Sequence, residues 1–203
     1  MTSPEPPWIA ILAMCAVGGL FAALPPSLIP GPYWLMPAVV GALVVPGYVT
    51  HRAGNAQLNH RIGIALSVAI TIALVFALGA LIHVLPSHRE SAVDLLRSAV
   101  LLWLTNILVF ASWYWRLDAG GPHQRSMRGK HVEGAFLFPQ MTLHVDWTPD
   151  FVDYVFLAFN TSTAFSPTDT APLSRWAKVL MMIQSLIALS TIAILAGRAV
   201  NIL

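Results

Sequence analysis

The sequence predicts an all-α integral membrane fold: five transmembrane helices, with a re-entrant pore helix and turn before the last span. Three observations predict it. Of 203 residues, 57% are hydrophobic and only 10% charged, whereas soluble domains carry about a quarter charged residues. The apolar residues gather into five long runs separated by breaks rich in proline, glycine or charge. Just before the last run lies an apolar stretch of about 12 residues, too short for a crossing that needs about 20, followed by a turn of Thr, Ser and Pro.

Trp8–Leu28 and Tyr33–Val49 are the first two runs. Between them Pro25, Pro26, Pro30, Gly31 and Pro32 forbid a continuous helix, so the two should fold back as a tight hairpin. Glu5 is the only charge before Trp8. A cleavable signal peptide begins with basic residues, so the first run is expected to be a retained span. A polar link, Thr50–Arg61, leads to Ile62–Leu85, and a shorter one, Pro86–Ala92, leads to Val93–Trp115. Trp113, Tyr114 and Trp115 before Arg116 suit an aromatic belt at the membrane interface. Asp94 and Arg97, three apart, share a helix face and are expected to pair. Asn106, deep in the same run, must tie helices together or face water, because an amide in hydrocarbon needs partners.

Residues 116–149 form the longest break, with Gly120, Gly121, Pro122, Arg125, Arg128 and Lys130. Its second half carries Phe136, Leu137, Phe138, Met141, Leu143 and Trp147, apolar enough to order part of it against the membrane-facing surface. Thr148, Pro149 and Asp150 read as a helix start, with Thr148 as cap and Pro149 in the first helical position. The helix from there to Asn160 spans about 18 Å, roughly half a bilayer core. Pro167 and Pro172 end it, and Ser174 caps the last span, Ser174–Ile202. The chain thus divides into residues 1–92, about three spans, and residues 93–203, which hold an outer helix, a loop, the short helix with its turn, and an inner helix.

Several function classes fall away. The formal charge is +2 and no basic face interleaved with aromatics is present, so no nucleic-acid partner is expected. Cys15 is the single cysteine, so no intrachain disulfide forms. No Ser/His/Asp set, paired carboxylates or phosphate-cradling glycine loop occurs at useful spacing, so the chain does not read as an enzyme. His123, His131, His144 and Asp146 fit no ligand pattern, and neither metal nor cofactor is expected.

With these residues in view, Phe151–Leu203 resembles the pore-loop module of the potassium channel superfamily: pore helix, selectivity turn, inner helix. More narrowly, Asp150 to Phe159, Thr163 to Asp169, Ser174-Arg175 and Ala199-Val200-Asn201 resemble an uncharacterised family of bacterial multi-span membrane proteins. The match covers about the last quarter of the chain. The resemblance implies a multi-pass protein of the bacterial plasma membrane, in contact with the lipid bilayer. It also implies a homo-oligomer, by analogy a tetramer, that passively conducts monovalent cations. The turn Thr161, Ser162, Thr163, Ala164, Phe165 and Ser166 would then form the constriction, with Asp169 concentrating cations at its mouth. Gln184, Ala188 and Thr191 share one face of the last helix and would line the cavity; the same residues also suit helix–helix contact. The turn departs from the channel pattern, because it has none of the glycines that aim successive carbonyls at an ion. A non-conducting structural membrane protein with a degenerate pore loop is therefore the alternative, and a transporter a more distant one. The excess of Arg and Lys would put the long loop in the cytoplasm, opposite to the channel arrangement.

Overall fold

The computed structural model describes residues 8–29, 31–85, 91–128, 134–143, 147–163 and 170–200. Seven α-helices carry the described fold: α1 Trp8–Ala22, α2 Leu35–Arg52, α3 Ala56–Val84, α4 Ala92–Leu117, α5 Pro122–Arg128, α6 Phe151–Thr163 and α7 Arg175–Val200. Two short strands, β1 Phe136–Leu137 and β2 Ala171–Pro172, pair antiparallel, Phe136 opposite Pro172.

Among the described residues, three helices are long and apolar enough to cross a membrane: Ala56–Val84, Val93–Gly120 and Arg175–Gly197, with mean hydropathies of 2.6, 1.7 and 2.3. The first two apolar runs fold as helices of 15 and 18 residues, α2 carrying Pro46 inside it. They pack on each other as a hairpin, with Val40 of α2 seated against Gly18 of α1. The link expected over Thr50–Arg61 is much shorter: α2 continues to Arg52, and Asn55 caps α3 by accepting from the Leu58 amide at 3.1 Å. Polar residues in that stretch are thus absorbed into helix ends, a tolerance that hydropathy alone does not reveal.

Caps explain the other boundaries. Ser91 caps α4 by accepting from the Asp94 amide, and its hydroxyl donates to the Asp94 carboxylate at 2.6 Å. Asp94 is therefore engaged at the helix start rather than with Arg97 as expected. Ser174 caps α7, accepting from the Ala177 amide at 3.3 Å, as its position predicts. The start of α6 differs by two residues. Asp150, not Thr148, accepts from the Val152 and Asp153 amides, while Asp153 reaches back to the Asp150 amide at 2.8 Å. A carboxylate accepts these bonds more strongly than a hydroxyl and complements the helix dipole.

The chain reverses sharply after α4 through Ala119, Gly120 and Gly121, all at positive φ, and Pro122 then opens α5. Along α4, Trp115 meets Phe151 edge-on, while Trp103 meets Phe159. α6 therefore runs antiparallel to α4. Phe136 bridges Tyr114 on α4 to Trp176 on α7, and the Leu173 amide donates to the Ala135 carbonyl at 2.7 Å. Both α6 and α7 thus begin beside the C-terminal end of α4. The apolar loop residues expected on the membrane-facing surface are divided: Phe136 and Phe138 are buried with Tyr154, Met141 and Trp147 are half-buried, and Leu137 and Leu143 stay exposed. Aromatic rings fill this junction because edge-to-face packing adds to their large buried area.

Candidate functional site

Polar side chains on three apolar helices converge at one level of the bundle. Gln184, fully buried on α7, donates from Nε2 to the Ala158 carbonyl at 2.7 Å and to the Ser162 hydroxyl at 2.8 Å. Its Oε1 accepts from the Tyr114 hydroxyl at 2.5 Å. Asn106, about two turns before Tyr114 on α4, donates to the Ser162 hydroxyl at 3.4 Å and to the Gln184 backbone carbonyl at 3.3 Å. Ser185 adds a bond to the Thr161 carbonyl. An amide has two donors and an acceptor to satisfy, and hydrocarbon offers no partners. One glutamine therefore fixes α4, α6 and α7 in a single register. Asn106 Oδ1 has no partner among the described residues.

This placement decides what the expected pore residues touch. Thr161 and Ser162 are buried and Thr163 is half-buried. Thr161 and Thr163 donate to carbonyls of their own helix, Leu157 and Asn160. Gln184, Ala188 and Thr191, expected to line a cavity, are turned inside the helix bundle at 0–1% exposure, and Thr191 donates back to the Ile187 and Ala188 carbonyls. The opposite, exposed face of α7 carries Met182, Leu186 and Leu189. Ala164, Phe165, Ser166 and Asp169 lie outside the described residues.

A second buried cluster closes the end of α4. Asp118, fully buried, accepts from the Ala135 amide at 2.5 Å and from the Tyr154 hydroxyl at 2.6 Å. Arg125 donates to the carbonyls of Trp115 and Asp118, and its guanidinium lies 5.1 Å from the Tyr154 ring centre. Arg125 thus satisfies carbonyls that α4 leaves open at its C-terminus. Neither Asp118 nor the role of Arg125 follows from sequence reasoning, which took the arginine as one charge in a polar loop. The available signal is a lone carboxylate two residues before a Gly-Gly-Pro break, next to an apolar helix end.

At the start of α6, burial is the main influence on Asp153 and holds its carboxyl above the ordinary carboxylate value; the hydrogen bond from the Asp150 backbone opposes this, and the Asp150 charge adds to it. Of the loop residues His123, His131, His144 and Asp146, only His123 is described, and no metal-binding group of three occurs among the described residues.

No known protein family, curated protein or solved structure matches this chain.

Proposed function

We propose that this chain is a non-conducting helical membrane protein, in which a pore-loop-like half-helix is latched shut as a structural element. The observation that carries this is Gln184. A conducting arrangement needs hydroxyls and carbonyls free to meet an ion, whereas the Ser162 hydroxyl and the Ala158 carbonyl are both engaged by this one side chain. Thr161 and Thr163 are likewise occupied by their own helix. The exposed faces of α6 and α7, with Phe156, Met182 and Leu186, are apolar and suit lipid or a second copy of the chain rather than water.

The re-entrant path itself is part of the proposal. α6 has 13 residues, about 20 Å of helix against a core of about 30 Å. Its first residue packs on Trp115, and Ala171 pairs with Leu137 near the same end of α4. Paired cysteines introduced at Asp150 and Pro172, in a Cys15→Ser background, should be labelled from one side of a sealed vesicle only. Labelling from opposite sides would turn the dip into a crossing and remove the basis of the module.

Passive monovalent-cation conduction through an oligomeric pore is the second reading. The half-bilayer length of α6 favours it. Reconstituted vesicles separate the two: cation flux should match protein-free vesicles, and flux that Thr163→Val reduces would establish the conducting reading instead.

A further inference from the structure

A cavity of about 820 Å³ lies at one end of the bundle, where α1 and α3 begin and α2 and α4 end. It is separate from the latch. Part of its lining is apolar, with Met14, Val44 and Leu66. The rest carries Arg61, Arg116 and three histidines, His51, His60 and His123, and no carboxylate among the described residues that line it.

Arg116 is the group that calls for an explanation. Its guanidinium lies across Gly63 of α3, so close that a Cβ there would overlap it. It makes no hydrogen bond or ion pair among the described residues, and its buried Nε has no partner. The ring of Trp115, 5.2 Å from the guanidinium carbon, is its one charge-compensating contact there. Arg116 is half-buried, and holding a guanidinium partly out of water without a counter-anion is costly. The absence of a side chain at Gly63 makes room for it nonetheless.

We propose that this cavity binds an acidic phospholipid, its phosphate held by Arg116 with the polar edge of His60 and Asn59 nearby, and its acyl chain against Met14, Val44 and Leu66. Two features select an amphiphile over a small soluble anion. Cationic and apolar residues line one cavity, and the cavity sits where two of the membrane-crossing candidates, α3 and α4, have their ends, the level of lipid headgroups. The assignment stands whether or not α6 conducts.

The test reconstitutes the full chain into equimolar phosphatidylcholine and phosphatidylglycerol, re-extracts it in non-ionic detergent, and quantifies co-purifying lipid by mass spectrometry. Phosphatidylglycerol should be enriched about fivefold, the preference that one cation near a membrane surface confers. Arg116→Gln should abolish the enrichment, and Arg116→Lys should retain part of it. Gly63→Ala, which keeps the charge but displaces the guanidinium, should lower it. Arg52→Gln removes an exposed cation at the same end and should leave it unchanged. Equal retention of both lipids by the wild type overturns the proposal. So does enrichment that survives Gly63→Ala and Arg116→Gln, or that falls equally in Arg52→Gln. If Arg116→Gln does not fold, Gly63→Ala and the melting temperature of the delipidated wild type decide. Phosphatidylglycerol should raise that temperature, and an equal rise with inorganic phosphate alone would overturn the lipid assignment.

Discussion

Replacing Gln184 with methionine keeps the volume and flexibility of the side chain while deleting its amide. Three hydrogen bonds disappear: to the Ala158 carbonyl, to the Ser162 hydroxyl and from the Tyr114 hydroxyl. Side-chain hydrogen bonds between membrane helices contribute about 0.6 kcal/mol on average and up to about 1.7. Three of them give a loss of about 2–5 kcal/mol for Gln184→Met, consistent with leaving a buried tyrosine hydroxyl unsatisfied. Unfolding in mixed micelles of mild detergent and SDS, followed by helical ellipticity, measures this directly. Tyr114→Phe shares one of the three bonds, so its cost should shrink sharply in the Gln184→Met background. A change below about 0.5 kcal/mol, the size of an ordinary surface substitution, would refute the latch. So would strict additivity of the two substitutions.

The cluster at the end of α4 should respond in the same assay: Asp118→Asn turns an amide N–H toward either the Ala135 amide or the Tyr154 hydroxyl, costing about 1–3 kcal/mol and speeding hydrogen exchange at Ala135. Asp150→Ala removes the α6 cap and should cost about 0.5–2 kcal/mol, with exchange protection lost in the first turn of α6 but kept at Ser162. For Asp153 the folded carboxyl binds its proton more tightly than the unfolded one, so stability should fall as pH rises from the ordinary carboxylate value through the raised one; Asp153→Asn should flatten that slope, and an unchanged profile would count against its burial.

Hydropathy made the helices legible, because runs such as Ile62–Leu85 admit little else. It could not reveal the direction in which α7 faces. Apolar residues surround that helix, and Gln184, Ala188 and Thr191 suit a cavity or a neighbouring helix equally well until α4 is seen to supply Asn106 and Tyr114. Asn106 was recognisable as an amide in need of partners, but its partners lie on α6 and α7, 56 and 78 residues away. Asp118 was illegible for a related reason. It precedes a reversal in which Ala119 takes φ 50°, a conformation that only its surroundings enforce, and its donors come from Ala135 and Tyr154. Local capping was read more successfully at Ser174 than at Asp150, where Thr148 and Asp150, two residues apart, both had side chains able to accept from the helix.

The pairing of Phe136–Leu137 with Ala171–Pro172 fastens the neck of everything that lies between. Residues 138–170 therefore form a closed excursion whose two ends are stitched together independently of its contents. Lengthening the excursion adds only slowly to the entropy of closing it. The half-helix inside it is another matter, because Tyr154, Ala158 and Ser162 hold it to Asp118 and Gln184; a chimera carrying a foreign half-helix between those two strands should keep the neck closed and lose the register that these contacts set.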